Sequence, residues 1–176
     1  MRMKGLIAGT AVLALSGCAA AGAIANTQTI TLRDTAGRTV GTALLTPATE
    51  GVQVVLSANG LPAGIHGVHV HQTGLCDVPD FASAGAHFNP TSRQHGTENP
   101  NGPHAGDLPN ITVDANGRGT LNAVARGVTL EGGGASSLRK AGGTALVVHA
   151  SADDYRTDPS GNSGARIACG VIPPAN

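Results

Sequence analysis

The chain has 176 residues, among them 26 Gly and 10 Pro, and its only aromatic side chains are Phe81, Phe88 and Tyr155. That composition argues against a helical bundle and for short strands joined by many turns. The charge balance of 11 basic against 11 acidic residues, with no Trp and no basic cluster, excludes nucleic acid as a partner.

At the N-terminus, Arg2 and Lys4 precede an apolar run over residues 6–15 and then small residues. This is the pattern of a secretory signal over 1–17, too short to span a bilayer. The run ends Leu15-Ser16-Gly17-Cys18, which resembles the lipobox of bacterial lipoproteins, where the Cys becomes the lipidated first residue of the mature chain. Three Cys in an exported protein leave one unpaired, and giving Cys18 to lipid leaves Cys76 and Cys169 available to each other. The alternative is a plain secretory signal cut elsewhere, with Cys18 discarded. The expected organisation is a signal over 1–17, a lipid-bearing tether over 18–26 and one domain over 27–176. The address is the bacterial cell envelope, anchored to a membrane through Cys18 and facing the periplasm or the surface. Removing Arg2 and Lys4 from the 11 Lys and Arg leaves 9 against 11 Asp and Glu, a formal charge of minus two on the mature chain.

From residue 27 onward, Val, Ile, Leu and Thr runs alternate with turn signals. Runs 27–33 and 39–46 flank Asp34-Thr35-Ala36-Gly37, runs 52–58 and 65–71 flank Asn59-Gly60-Leu61-Pro62, and runs 108–113 and 120–124 flank Asp114-Ala115-Asn116-Gly117. Runs 144–149 and 166–172 complete eight short strands without a convincing helix, which predicts an all-β antiparallel sandwich or barrel. Between His71 and Leu108 no strand is credible, and a connection of that length is either functional or disordered. The glycine-rich stretch 131–143 carries no recognisable chemistry.

The histidines do. In Gly67-Val68-His69-Val70-His71 the two-residue spacing sends both imidazoles to one strand face and both valines to the other. His66 shares the parity of the valines and is read as structural, packed or hydrogen-bonded at the barrel end. His87, His95, His104 and Asp107, all in the long loop, offer three nitrogens and one oxygen, a set that suits tetrahedral zinc with no open position. His149 ends the strand 144–149 and meets His69 and His71 if the sheet closes that way. Singly, each of these histidines reads as a surface or core residue; six together with a matching Asp read as metal ligands.

The segments Gly67-Val68-His69-Val70-His71, Ser83-Ala84-Gly85-Ala86-His87-Phe88-Asn89-Pro90, His104-Ala105-Gly106-Asp107-Leu108 and Gly164-Ala165-Arg166-Ile167-Ala168-Cys169-Gly170 occur in this order. In them the chain resembles the copper, zinc superoxide dismutases over about residues 27–172. The resemblance implies an eight-stranded Greek-key barrel, an architecture already known for that family. It implies copper held by His69, His71, His87 and His149, and zinc held by His87, His95, His104 and Asp107, with His87 bridging the ions. It implies that Asp153 links a copper histidine to a zinc histidine, with Asp154 its nearest competitor, that Cys76 and Cys169 form a disulfide, and that Arg166 positions the anion beside copper.

The implied activity is disproportionation of superoxide to dioxygen and hydrogen peroxide by Cu(II)/Cu(I) cycling, with His87 taking and giving a proton. A rival reading from another class is a copper- and zinc-binding lipoprotein without turnover. A second rival, a zinc hydrolase, needs an open metal position that a full ligand set denies. Relative to the family, the insertion Asp77-Val78-Pro79-Asp80-Phe81 alters a subloop that often joins dimers, so a homodimer is left open. The loop between His149 and Arg166 is short, and Arg156 is its only cation, either an outer contributor to steering or a solvated loop residue.

Overall fold

The computed structural model describes residues 26–175. The expected signal over 1–17, Cys18 and nearly all of the tether over 18–26 lie outside the described residues.

The eight strands are β1 (Gln28–Asp34), β2 (Thr39–Ala48), β3 (Gly51–Asn59), β4 (Gly64–His71), β5 (Asp107–Val113), β6 (Arg118–Arg126), β7 (Thr144–His149) and β8 (Arg166–Ile172). Each coincides with an expected run to within one to two residues at either end. The differences lie where ladder partners continue the pairing past the apolar stretch, as Gly51 does opposite Ala48 and Arg126. Within the long loop, residues Ala82–Ala84 form one 3-10 turn that the sequence pattern does not reveal.

The eight strands pair antiparallel throughout, in the order β5-β4-β7-β8-β1-β2-β3-β6. The sheet curls until its two edge strands approach each other, and a β-carbon on Gly119 of β6 would collide with the Thr112 carbonyl of β5. The result is a nearly closed barrel with Greek-key connections.

Alternation decides what fills it. In β1 Ile30 and Leu32 point inward, in β3 Val52, Val54 and Leu56, and these join Val68, Val70, Leu146 and Val148 in one apolar core. The glycine-rich connection after β6 crosses the barrel and helps cover this core with Val128, Leu130 and Leu138. Thr144 donates to the Leu138 carbonyl at 2.7 Å and ties the crossing to β7.

Strands β4 and β7 are buried on both faces. Val68 and Val70 of β4 face the core, as their parity predicts, so His69 and His71 lie on the outside of the barrel beneath the long loop. On β7 the outward residues Ala145 and Val147 pack with Phe81, Ala84 and Cys169 in a second, smaller apolar cluster. The loop is therefore a lid of structure laid on the barrel wall, and the histidines sit between wall and lid.

Candidate metal centre

Three registers bring the expected residues together. β4 pairs with β5 so that His69 opposes Asp107, the end of β4 forms an isolated bridge between His71 and His87, and β7 pairs with β8 so that His149 opposes Arg166. An irregularity between Val148 and His149 breaks the regular register at the ligand itself, as bulges beside sites do. His69, His71, His87, His95, His104 and His149 are all buried.

The other nitrogen of each ring settles which one is free. His71 donates through Nδ1 to the Gly85 carbonyl at 2.8 Å, and His149 through Nδ1 to the Gly164 carbonyl at 3.0 Å. His69 donates through Nε2 to Asp153 Oδ2 at 2.8 Å. That leaves His71 Nε2, His149 Nε2 and His69 Nδ1 as bare acceptors. The two Nε2 atoms face each other across 3.3 Å, while His69 Nδ1 and His87 Nε2 are buried without any hydrogen-bond partner. Acceptor lone pairs driven together in a dry site are repulsive unless a cation lies among them. His69, His71, His87 and His149 offer such a set, with ligand atoms within 4.8 Å of one another.

The opposite nitrogen of His87 belongs to a second set. Asp107 turns Oδ2 to the backbone N–H groups of Gly96 and His104, at 2.9 and 3.0 Å, and these bonds hold the carboxylate still. Its Oδ1 then meets His87 Nδ1 and His95 Nδ1 at 3.1 Å each and His104 Nδ1 at 3.3 Å. Although close, His95 Nδ1 is not aligned for a hydrogen bond, another orphaned buried nitrogen. His69 also falls within 4.8 Å of His87, His95 and Asp107. His104 is the better fourth member, because its Nδ1 lies 3.4 Å from His87 Nδ1 and points at the same carboxylate oxygen. Three imidazoles and a carboxylate fit zinc, and four imidazoles fit copper.

The electrostatics agree with ligand duty. Burial holds the His71 ring down to about 2, His87 to about 4 and His149 to about 3, with neighbouring histidines adding to the effect. All three are neutral at pH 7 and carry a lone pair. Burial also opposes charge on His95, but its contacts with Asp107 and Asp153 outweigh it and lift the ring to about 9. Burial acts against ionisation of Asp107 and Asp153 too, yet hydrogen bonds from the histidines keep both well below the usual carboxylate range. A cation entering here meets two ionised carboxylates and displaces a proton from His95.

Asp153, not Asp154, joins the two histidine sets, since its Oδ1 accepts from His95 Nε2 at 3.0 Å while Oδ2 takes His69. Asp154 is exposed and serves the loop turn through Arg156, Thr157 and Asn162. Arg166 donates to the carbonyls of Phe81 and Gly85, both at 2.6 Å, so one Gly85 oxygen serves Arg166 and His71 together. Cys76 and Cys169 are joined, tying the loop to β8. His66 lies apart from both sets, with Nδ1 2.8 Å from the His149 carbonyl and Nε2 2.9 Å from the Pro62 carbonyl, in keeping with a structural role. Arg156 is paired with Glu98 at 2.6 Å.

Residues 39–172 match the family description "Copper/zinc superoxide dismutase (SODC)". The chain belongs to the copper/zinc superoxide dismutase family. A "Superoxide dismutase [Cu-Zn] 1" from Aquifex aeolicus is 49% identical over 137 residues, 77% of this chain and 81% of that protein. The "Superoxide dismutase [Cu-Zn]" of Caulobacter vibrioides is 44% identical over 138 residues, 77% of this chain and 79% of that one. The crystal structure of a SOD-like protein from Bacillus subtilis has a TM-score of 0.78 at 42% identity, covering 82% of this chain and 97% of the other. Copper and zinc are the metals that membership implies, and the two clusters are able to bind them.

Reasoning from sequence missed the carbonyls of Phe81, Gly85 and Gly164, which leave no side-chain signal. It also missed Asn110 and Tyr155, which bond to Asp153 across 43 and 2 positions of chain.

Proposed function

We propose that the chain is a superoxide dismutase that converts superoxide to dioxygen and hydrogen peroxide. The observation that carries this reading is His87, whose two ring nitrogens face two different ligand sets, with Nε2 buried and unpartnered. In this reading His69 Nδ1 and the Nε2 atoms of His71, His87 and His149 hold copper, and the Nδ1 atoms of His87, His95 and His104 with Asp107 hold zinc. Copper supplies the one-electron chemistry, and zinc, with a single stable oxidation state, organises the loop.

The chain's own residues do the rest. Arg166, held by two carbonyls beside His71 and His149, presents a fixed positive charge to a small anion. His87 Nε2 has no hydrogen-bond partner among the described residues, so whenever it is not holding copper it is the atom at which a proton can be held and passed to the peroxide product. Asp107 and Asp153 fix the tilt and tautomer of the rings they touch. A chain that only stored metal would not need Arg166, and a zinc hydrolase would not fill all four zinc positions.

The envelope address belongs to the same proposal: acylation of Cys18 would keep the protein on a membrane. The disulfide supports an oxidising compartment. The homodimer alternative is read from sedimentation of the mature protein. Dismutation assayed on metal-reconstituted protein tests the main reading. Rapid, copper-dependent loss of superoxide supports it, and full metal loading without turnover overturns it in favour of the non-catalytic binder.

A further inference from the structure

Asp153 is a loop residue, yet it is held on every side. Its carboxylate accepts from His69 Nε2 at 2.8 Å, His95 Nε2 at 3.0 Å and the Tyr155 backbone N–H at 2.7 Å. Its backbone is held separately. Asn110 of β5 donates through Nδ2 to the Asp153 carbonyl at 2.9 Å and accepts the Asp153 N–H on Oδ1 at 2.8 Å. Both functional atoms of one amide are therefore spent on a single residue of another segment. The Asn110 backbone N–H in turn donates to the Tyr155 hydroxyl at 2.8 Å.

Tyr155 sits at φ 63, a left-handed conformation that disfavours any side chain with a β-carbon. That conformation accompanies three contacts at once: its N–H on Asp153, its hydroxyl on Asn110, and its carbonyl accepting from Glu98 N–H at 2.9 Å in the zinc-side loop. Gly161 closes the cradle, because a β-carbon there would collide with Asp153 Oδ1 and lie 2.6 Å from His95 Nε2. A plain stitch between loop and barrel needs only backbone bonds anywhere along the segment. Here the bonds converge on the carboxylate residue that links His69 of one set to His95 of the other.

We propose that Asn110, backed by Tyr155, is a positioning residue that fixes Asp153 and through it the tautomer and tilt of His69 and His95. The inference rests on the two-metal reading, in which those rings serve copper and zinc. β5 then carries both the zinc carboxylate, Asp107, and, three residues on, the clasp that aligns the bridge between the sites.

The test is a double-mutant cycle read by zinc affinity, measured in copper-free protein by competition with a chromophoric chelator, and by the Cu(II) electron paramagnetic resonance spectrum of loaded protein. Asn110→Ala is expected to weaken zinc binding by about 10–100-fold, the range seen when outer-sphere partners of metal ligands are removed, and to alter the copper spectrum. The same substitution in an Asp153→Ala background is expected to change neither. Tyr155→Phe, which keeps the ring and removes only the hydroxyl, shifts both readouts in the same direction by less and carries the cycle if Asn110→Ala does not fold. Unchanged zinc affinity and copper spectrum, or an effect of full size in the Asp153→Ala background, overturns the positioning role. Failure of the wild-type protein to bind zinc stoichiometrically overturns the two-metal reading, a result visible before any variant is made.

Discussion

Arg166 and Arg156 are both loop-side cations, but their surroundings separate their roles. Arg166 is half-buried, its guanidinium is held by two carbonyls, and it feels the charge of Asp80 without a direct ion pair among the described residues, so its own charge is left to act beside the buried histidines. Arg156 is exposed and paired with Glu98, and surface pairs of this kind contribute little beyond cancelling their own charge. Arg166→Glu should therefore slow dismutation far more than Arg156→Glu while copper content stays equal in both. The loss should fall within the about 10–1000-fold that electrostatic steering contributes, an effect for which this family is itself a known example. Equal rates at low salt, with copper fully loaded, would remove Arg166 from the mechanism. At this scale the sequence was highly legible: strand parity put His69 and His71 on one face, and spacing gathered His87, His95, His104 and Asp107. Only the family resemblance favours Asp153 over Asp154, and in the structure Asp153 does link His69 to His95; local pattern alone does not separate adjacent carboxylates, which differ only in which way the loop turns them. Nor could the sequence pair Arg156 with Glu98, 58 positions away.

The elements that hold the site are the long loop after β4 and the short loop between β7 and β8. The first is joined to β8 by Cys76–Cys169, a crosslink spanning 93 positions. Its Phe81 and Gly85 carbonyls orient Arg166 and His71. Losing the crosslink frees the unfolded chain, at a cost of about 4–5 kcal/mol in the chain-entropy account and more commonly about 2–4 kcal/mol. Cys76→Ser should lower the melting temperature by roughly 5–15 °C. Two reactive thiols in the unreduced wild-type protein would contradict the crosslink.

The second loop is pinned by Asp154, held down to about 2 by hydrogen bonds from Thr157, first its hydroxyl and then its N–H, and from the Arg156 N–H. A carboxylate held below its unfolded value stabilises the fold above that value and ceases to do so as pH falls through the folded one. Amide protection across residues 154–162 should thus weaken as pH drops from about 4 to about 2 in the wild type. Asp154→Ala should lack this dependence and show weaker protection throughout; an identical pH profile in both proteins would contradict the assignment. Most strands were legible because buried and exposed positions alternate, whereas β7, buried throughout, was legible as a short apolar run between turn signals. The 3-10 turn and the irregularity at His149 were not, since they answer to loop docking and sheet closure rather than to local pattern.

On the scale of the molecule, the full chain has no formal net charge, and removal of the proposed signal over 1–17 would leave minus two and a weak repulsion of superoxide; Arg38, Arg126 and Arg156 are each paired with a carboxylate, Asp34, Glu50 and Glu98. Attraction must then be local, and turnover should fall as ionic strength rises because screening shortens the reach of that field. Eight short runs predict an antiparallel sandwich or barrel and the family resemblance a Greek-key barrel, while the order of the strands and their near closure come from the sheet itself. The envelope address is tested by Cys18→Ser, which should move the protein from the membrane fraction to the soluble one. An unmodified mature N-terminus beyond Cys18 would contradict it.

The central claim is that one imidazole serves two metals, and copper and zinc content measured side by side in wild type and His87→Ala tests it most directly. One copper and one zinc per chain in the wild type, with both occupancies reduced in His87→Ala, is the predicted result. Unchanged occupancy of both metals in His87→Ala would contradict the shared ligand, and with it the reading of the two clusters as one site.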